Sequence, residues 1–551
     1  MNKNESEKIK SKSKKSNVLK LAPVFLLFLL LVMPMRAWPR AATGKALYDQ
    51  WCSQCHGTDG KGDGYAANYV FPRPRDFTHG TFKYMTVPSG YPTTDAAIAH
   101  VIRNGNPGTS MPAWKKFSAA QINSLVQYIK TFSPPDVWQY PGTPFKIGSP
   151  PSKSAKLLVL GKFWYKKGKC WECHGKKGRG DGTKSWQPRF RDDWHNKIYA
   201  ADQTEPWTYI DGSSLKDVYL TITAGIGGTP MTSYADTLTD QERWALAYYV
   251  RSEQLKRHLG ISLKVARVKA LPATTTDPVW NEVPYLDIPL AGQIMFSRRN
   301  FTPIMDNVRV RGVYTPSAVE IMLEWDCKQP SFFHPAGIVN GAVFGPGAIP
   351  ISNAPGAAPQ AGAASQGGNA ITAQGGAAAP AVANVVATIY PDGARLQLPS
   401  KITSGIAKPY FFGGDASHPV NIWWWKVSDP DHAVEWNGAG TGSLTKQSRQ
   451  VVQAIESYKD GQYRLIFRRT LNTGDKDDPV LKVGQFVPFS VTLYNGRNGE
   501  RGNKGTVSAW YYMILIPKTP LAVYVLPPVV FIIVLLIGLI LHKILKEGRA
   551  G

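Results

Sequence analysis

Four of the five cysteines occur in two C-x-x-C pairs, and each pair is followed at once by a histidine. The residues are Cys52, Cys55 and His56 in the first segment, and Cys170, Cys173 and His174 in the second. Two thiols at this spacing can bond the vinyl groups of a porphyrin, while the adjacent imidazole binds its iron. The pattern therefore predicts two covalently attached haem c groups. A redox dithiol or half of a zinc site is the alternative for either copy taken alone.

The cysteine pairs belong to an internal repeat in which residues 44–64 correspond to residues 161–182. Both copies continue to a Gly-Thr-x-Met segment that ends at Met111 or Met231, 55 or 57 residues after its histidine. A thioether sulfur opposite the imidazole completes the iron coordination and raises the reduction potential. The repeat predicts His56 with Met111 and His174 with Met231 as axial ligands. An iron with both axial positions filled passes electrons and does not bind substrate.

A helix is expected after each methionine, because capping-box patterns occur at Ser118…Gln121 and at Thr239…Glu242. Together with the C-x-x-C-H motifs, these features resemble class I cytochrome c domains, which are mostly helical and hold haem in a cleft. We place the domains at residues 43–135 and 155–267, joined by a Pro/Gly/Ser-rich linker at residues 136–154. Arg73 and Arg75, in a Pro/Arg-rich stretch of the first domain, are interpreted as exposed surface residues, with a haem propionate as the alternative partner.

The composition indicates a folded, basic, multidomain chain. Its 551 residues are 43% hydrophobic, which excludes a mainly disordered protein. Sixty-four Lys and Arg against 39 Asp and Glu give a net charge of +25 and favour an anionic partner surface. Nucleic acid is not expected as that partner, because the sequence contains no zinc-finger, nucleotide-binding or RNA-binding motif.

Apolar segments at both ends point to a membrane. The basic N-terminus (residues 1–42) contains the 15-residue apolar run Leu21–Met35, interpreted as either an uncleaved anchor or a cleaved signal. Leu521–Leu541 carries no charge and precedes basic residues, so a transmembrane helix is predicted within residues 519–545, with its tail in the cytoplasm. The bulk of the chain is thereby expected on the periplasmic side of the cytoplasmic (inner) membrane, where haem c is attached.

The rest of the chain shows strand periodicity. Val319, Ile321, Leu323 and Trp325 alternate with Glu320, Met322 and Glu324, and similar alternation recurs around residues 463–468 and 487–494. After a short break at residues 268–276, an all-β sandwich is predicted over residues 277–517. Residues 336–386, rich in Ala, Gly, Gln and Pro, are interpreted as a low-complexity insertion. The predicted fold class is thus two all-α cytochrome c domains followed by a β-sandwich.

Residues 277–517 resemble the ethylbenzene-dehydrogenase-related haem-binding domain, the fold of gamma subunits of periplasmic molybdenum enzymes such as nitrite oxidoreductase. The matching segments are Asp277–Trp280, Leu323–Asp326, Pro409–Asp415, Pro419–Trp423, Trp425–Lys426, Asp460–Arg464, Phe467–Arg468, Gly499–Lys504 and Ser508–Trp510. The resemblance implies one haem b held between a Met and a Lys. Lys504 matches the family's lysine, and Lys426 is a weaker alternative. The family's methionine falls on Gly413, with His418 as a substitute ligand nearby, so the sequence leaves haem b binding open.

These features predict an electron-carrier subunit without catalytic residues of its own. It would link the alpha and beta subunits of a molybdenum oxidoreductase, nitrite oxidoreductase-like, to the respiratory chain. One alternative is a dihaem cytochrome that exchanges electrons with a soluble cytochrome or a terminal oxidase. Another treats the β-sandwich as a docking module without haem, since this fold serves many functions.

Overall fold

The computed structural model describes residues 43–331, 338–339, 342–343, 390–402, 412–440, 442–518 and 522–547. The predicted N-terminal anchor or signal, most of the low-complexity insertion and residues 409–411 of the Pro409–Asp415 motif lie outside these ranges. The α-helices are α1 (Gly44–Trp51), α2 (Ser53–His56), α3 (Asp95–Asn104), α4 (Ala119–Lys130), α5 (Ala155–Lys167), α6 (Trp171–His174), α7 (Leu215–Ala224), α8 (Asp240–Glu253), α9 (Val279–Glu282) and α10 (Ala522–Glu547).

The two helical domains repeat the same helix crossing. In the first, α1 packs on α4 where Gly44 faces the backbone of Ser124, and a Cβ at Gly44 would lie 2.0 Å from that carbonyl oxygen. In the second, α5 packs on α8, and a Cβ at Gly161 would lie 2.1 Å from the carbonyl oxygen of Ala245. Both capping boxes predicted from the sequence are present at the starts of α4 and α8. The crossings place each C-x-x-C-H segment against its own domain core.

A separate apolar cluster joins the two helical domains. Met85 and Val87 of the first domain pack with Leu220 and Ala224 of the second. The connecting segment is part of this contact, because Phe145 and Ile147 pack on the cluster. The Phe145 amide also donates to the carbonyl of Thr86 at 2.8 Å. Part of the predicted linker therefore packs across the boundary between the two helical domains.

The last domain is built from strands. They are β1 (Ser262–Arg267), β2 (Tyr285–Pro289), β3 (Ala291–Gly292), β4 (Asn307–Tyr314), β5 (Ala318–Asp326), β6 (Ile338–Val339), β7 (Ala342–Val343), β8 (Gly393–Pro399), β9 (Val420–Lys426), β10 (Asp429–Gly438), β11 (Leu444–Lys446), β12 (Gln453–Lys459), β13 (Gln462–Thr470), β14 (Phe486–Tyr494), β15 (Thr506–Val507) and β16 (Tyr511–Leu515).

Most of these strands form two antiparallel layers joined at their edges. One layer has the order β2-β4-β5-β13-β12, and the other has the order β10-β9-β8-β14-β15-β3. At one edge β1 pairs in parallel with β4 and with β16, and β16 returns to β14. At the other edge β10 meets β12 through His432 and Gln453. The C-terminal region is thus a β domain whose two layers continue into one another as one sheet, and it is called the sandwich below.

The sandwich core contains the residues that alternation placed inside it. Val319, Ile321, Leu323 and Trp325 of β5 all belong to the buried cluster between the layers. Trp325 meets Trp425 of the opposite layer with ring centroids 6.2 Å apart. Such aromatic pairs add specific geometry to apolar burial. The outer side of β5 is also covered, since Met322 packs with Trp280 in a second cluster.

The predicted boundary between the second helical domain and the sandwich is wrong. Residues 262–267, assigned by sequence to the helical domain, form β1 and pair with β16 and β4. The proposed break at residues 268–276 is packed on β13, where Arg468 donates to the carbonyl of Pro272 at 2.8 Å. Thr275 also exchanges a 2.6 Å hydrogen bond with Ser457. A short strand without clear alternation of apolar and polar residues gives no periodic signal in the sequence. Such a strand is recognised only from its pairing with other strands in the structure.

The C-terminal helix α10 extends beyond the predicted apolar run, to Glu547. Its segment Ala522–Leu545 is long and apolar enough to cross a membrane, and the most apolar stretch of that segment is not buried inside the structure. An exposed apolar helix of this length is compatible with a bilayer span.

Candidate haem sites

Each C-x-x-C-H segment forms one short helical turn. His56 donates its backbone N–H to the carbonyl of Cys52 at 2.9 Å, and His174 repeats this bond with Cys170 at 2.9 Å. The Tyr48 hydroxyl then donates to the carbonyl of Gly57 at 2.7 Å, just after the first turn. Tyr165 makes the equivalent 2.8 Å bond to Gly175 in the second domain. The turns bring two thiols and an imidazole together, as attachment of one porphyrin requires.

Both histidines have one ring nitrogen engaged by a backbone carbonyl. His56 Nδ1 lies 2.9 Å from the carbonyl oxygen of Arg75, and His174 Nδ1 lies 3.0 Å from that of Ala201. A carbonyl can only accept, so Nδ1 carries the proton and Nε2 keeps its lone pair for a metal. This is the usual outer contact of a metal-binding histidine. Burial lowers the pKa of both imidazoles, which favours the neutral form.

The two methionine loops are held in the same way. The Thr109 hydroxyl donates to the carbonyl of Asn106 at 2.7 Å and accepts from the amide of Met111 at 3.1 Å. Thr229 repeats the pattern with Ile226 at 2.8 Å and with Met231 at 3.2 Å. The threonine of Gly-Thr-x-Met therefore closes a tight loop that presents the methionine. This role explains why the threonine, and not only the methionine, recurs in both copies of the repeat.

In the first domain, a cavity of about 400 Å³ connects these groups. Cys52, Cys55, His56 and Met111 all line it, together with Phe77 and Phe82. The His56 ring stacks on Phe77 with centroids 4.5 Å apart. The apolar walls and the convergent sulfur and nitrogen ligands match what a haem requires. The residues present therefore fit the cofactor predicted from the motif.

Three cationic side chains line this cavity, and Arg75 and Lys83 are the more buried of them. Arg75 and Lys83 both line it, and burial lowers the pKa of Arg75 to about 10 and also lowers that of Lys83. The expectation of an exposed arginine holds for Arg73, which donates to Asn68 at 2.6 Å. It is wrong for Arg75, whose guanidinium carbon lies 3.6 Å from the ring centroid of Trp194. Lys83 already has an anionic partner in Asp192 at 3.4 Å, and haem propionates would add negative charge beside both cations.

The methionine loop of the second domain touches the wall of this cavity. The Gly227 amide donates to the carbonyl of Lys83 at 3.1 Å, and a Cβ at Gly227 would lie 2.1 Å from the carbonyl oxygen of Phe82. Gly228 packs against the Trp194 ring of its own domain. Both glycines precede Met231 by three or four residues. At Gly228 the backbone has φ +69°, and a Cβ would lie 2.4 Å from the Trp194 ring. Met231, the predicted methionine ligand of the second haem, therefore follows a loop that packs closely on the first domain.

In the sandwich, the predicted haem b ligand has a partner within the protein. The Lys504 amine donates to the carbonyl of Asn498 at 2.7 Å, and burial lowers its pKa. Gly413 lies in a loop with φ +79°, where its amide donates to Gln397 at 3.1 Å. His418 contacts Asp415 at 3.0 Å, and the Lys426 amine lies 4.4 Å from the Trp424 ring centroid. Lys504 remains a predicted ligand only.

Comparison with known families assigns the helical half. Residues 39–129 match the model for cytochrome c oxidase, cbb3-type, subunit III, and residues 158–254 match the cytochrome c model. The chain carries two cytochrome c domains. Their common cofactor is haem c, in agreement with the paired C-x-x-C-H motifs.

Two individual proteins that are similar in sequence to this chain are named as a haem subunit and a gamma subunit. The chain is 28% identical over 123 residues to a protein of Haloferax mediterranei named as a candidate respiratory nitrate reductase heme subunit (ORF7). The aligned region covers 22% of this chain and 43% of the relative. It is 28% identical over 135 residues to the dimethylsulfide dehydrogenase subunit gamma of Rhodovulum sulfidophilum, over 23% of this chain and 49% of the relative. This chain therefore spans less than half of either relative.

One solved structure shares more sequence. A chain of the Kuenenia stuttgartiensis reducing HAO-like protein complex Kustc0457/Kustc0458 is 38% identical, covering 38% of this chain and 96% of that chain, with a TM-score of 0.37.

Proposed function

We propose that this chain is a membrane-anchored dihaem cytochrome that relays electrons as the gamma-like subunit of an extracytoplasmic molybdenum oxidoreductase. In this role His56 with Met111, and His174 with Met231, hold the two irons, and the four paired cysteines attach the porphyrins. When bound, the haems supply reversible one-electron chemistry. The protein orients their ligands, and Arg75 and Lys83 place positive charge where the propionates of the first haem would lie.

The observation that carries the proposal is the matched ligand geometry of the two domains. Each histidine has its Nδ1 held by a carbonyl, and each methionine loop is closed by a threonine hydroxyl. Duplicate sites with two axial ligands suit electron transfer rather than catalysis. The contact of Gly227 with Lys83 brings the second methionine loop to the first cavity, which supports direct transfer between the haems.

The gamma-like assignment is supported by the sandwich and by the relatives. The dimethylsulfide dehydrogenase gamma subunit and the named nitrate reductase haem subunit are both components of oxidoreductases. The apolar helix α10 supports anchoring in the cytoplasmic membrane, with both cytochrome domains on its outer side. A nitrite oxidoreductase-like partner is our specific proposal for the enzyme, and its alpha and beta subunits would carry out the chemistry.

A pyridine haemochrome spectrum of the full chain in detergent, quantified against protein, tests the cofactor content. We expect two haem c per chain, and one in the Cys52→Ala/Cys55→Ala variant. A haem b signal that is lost in Lys504→Ala would extend the proposal to the sandwich. A wild-type chain with fewer than two haem c would overturn it.

The enzyme partner is tested by purification of the native complex from its own membranes. Co-purification of molybdenum-containing subunits supports the gamma-like role. The match of residues 39–129 to a cbb3-type oxidase subunit favours a second candidate, a dihaem cytochrome that feeds a terminal oxidase. Recovery of haem–copper oxidase subunits in place of molybdenum subunits would establish that alternative.

A further inference from the structure

Three carboxylates meet where the second cytochrome domain contacts the sandwich. Asp202 and Glu205 come from the loop that follows the carbonyl bound by His174, and Asp326 ends strand β5. One oxygen of each residue lies within 4.8 Å of the others. The cluster is separate from the cysteines and methionines of the haem sites. Its members come from two domains, so the tertiary fold alone brings them together.

Two of these carboxylates belong to buried residues, and one oxygen of Asp202 is buried without a partner in the described chain. Asp202 is 0% exposed and Glu205 is 8% exposed. The Oδ1 atom of Asp202 accepts from the Thr204 amide at 2.9 Å and from its hydroxyl at 2.7 Å, but Oδ2 has no hydrogen-bond partner in the described chain. Within the same residues, the Glu205 carboxylate accepts no hydrogen bond. Buried charged oxygens without partners are costly.

The surrounding cations do not balance this charge. Arg179 lies 3.0 Å from Asp326 Oδ1 and also attracts Asp202, but the same guanidinium is shared with Glu324 and Asp181. Lys328 acts on Asp202 and Glu205 from a greater distance, because no ion pair within 4.0 Å joins it to a carboxylate of the described chain. Asp306 adds further negative charge near Glu205. The cluster therefore needs either protons or a bound cation to remain buried.

We propose that Asp202, Glu205 and Asp326 bind one Ca²⁺ ion between the second cytochrome domain and the sandwich. One oxygen from each residue lies within 4.8 Å of the others, which is close enough for the three carboxylates to share an ion. Ca²⁺ is the ion we choose because it takes six to eight oxygen ligands in flexible geometry, and carboxylates are among its usual ligands. The Thr204 hydroxyl, 3.3 Å from Asp326 and 2.7 Å from Asp202, links the two carboxylates across the domain boundary.

The ion would connect the sandwich to the second haem. Ala201, the neighbour of Asp202, supplies the carbonyl that accepts from His174 Nδ1. Ca²⁺ bound at Asp202 would hold this segment and draw electron density from its carbonyl. We expect the reduction potential of the second haem to rise when Ca²⁺ binds, while that of the first haem stays unchanged. This link rests on the function proposed above, whereas binding of the ion does not.

The binding test uses the purified full chain, freed of metal with EGTA and titrated with CaCl₂ in a calorimeter. We expect one Ca²⁺ per chain and a thermal midpoint raised by several degrees at saturation, because the ion binds only the folded state. Asp202→Asn and Asp326→Asn should each weaken binding at least tenfold. Asp306→Asn is the matched control: it removes one nearby charge but keeps an acceptor for Trp207, and should change affinity less than threefold.

The variants also report on the folded state without metal. In EGTA, Asp202→Asn should be at least as stable as the wild type, because an uncompensated buried charge has been removed. If Asp202→Asn does not fold, Glu205→Gln is measured in the same way. Haem content by pyridine haemochrome should be unchanged in every variant, which separates a failure of the cation site from a failure of the haem assignment.

Three results would overturn the proposal. The wild type could bind no Ca²⁺ at millimolar concentration, with stability in EGTA rising as the pH falls, which would show that the carboxylates share protons instead. Binding could persist unchanged in Asp202→Asn and Asp326→Asn, which would place the ion elsewhere. Mg²⁺ could bind more tightly than Ca²⁺, which would contradict the choice of an ion with flexible oxygen coordination.

Discussion

Lys83 Nζ lies 3.4 Å from Asp192 Oδ2, and this ion pair joins the two cytochrome domains. The side chains are only 13% and 3% exposed, so the pair is largely shielded from water and salt. The same Lys83 lines the first haem cavity, and its carbonyl accepts from Gly227 in the second methionine loop. The contact therefore fixes the relative position of the two haem sites.

Removal of the lysine should destabilise this interface strongly. Lys83→Met leaves the buried Asp192 carboxylate without its cation, at an expected cost of about 3 kcal/mol. The double variant Lys83→Met/Asp192→Asn should recover part of this loss, because neither partner then carries a charge. Thermal unfolding followed at the haem absorption band measures both. Equal midpoints for the wild type and Lys83→Met would show that the pair contributes nothing.

Loss of either predicted methionine ligand should lower the potential of one haem. Met111→Ala and Met231→Ala each remove a thioether, so we expect one midpoint to fall by about 0.1 V or more, within the roughly 0.8 V range that axial ligands cover. Haem should stay covalently attached. Met85→Leu is the control, since Met85 packs at the domain boundary without a ligand role. Potentiometric titration with unchanged midpoints in Met111→Ala would refute that assignment.

Glycine at the two helix crossings should be essential. Gly44→Ala and Gly161→Ala place a methyl group 2.0 or 2.1 Å from a carbonyl oxygen, so the helices must move apart. We expect each to cost about 1–3 kcal/mol or more through overpacking, although alanine is the better helix former. Gly148→Ala is the control, because a Cβ there meets no heavy atom within 4 Å. A thermal midpoint of Gly161→Ala equal to that of Gly148→Ala would contradict the close crossing.

Glu456 should make the sandwich less stable as the pH rises. Burial and the Asp431 carboxylate raise the pKa of Glu456 from 4.5 to about 7. A raised pKa means that the folded state favours the protonated form, so this contribution is present below about pH 4.5 and is lost as the pH approaches 7. Glu456→Gln should reduce that dependence. The measurement is the thermal midpoint of the wild type and of Glu456→Gln at several pH values between about 4.5 and 8. Parallel pH profiles of the two proteins would contradict the prediction.

Parts of the fold were predictable because they depend on short-range patterns. The capping boxes of α4 and α8 and the inward residues of β5 follow from spacing within one element. β1 was missed because it is short and its partners, β4 and β16, lie far along the chain. The exposure predicted for Arg75 was wrong for a similar reason, since Trp194 of the other domain covers it.

By itself, the sequence determined which residues are predicted to hold haem c. Two cysteines followed at once by a histidine, with a Gly-Thr-x-Met segment downstream, are local patterns typical of haem c attachment, and both are read from spacing along the chain. Tertiary structure decided what surrounds them. The carbonyls of Arg75 and Ala201 that orient the histidines come from loops with no motif, and the Lys83–Asp192 and Asp202–Asp326 contacts join separate domains. Such contacts depend on how distant segments pack, which residue spacing along the chain does not encode.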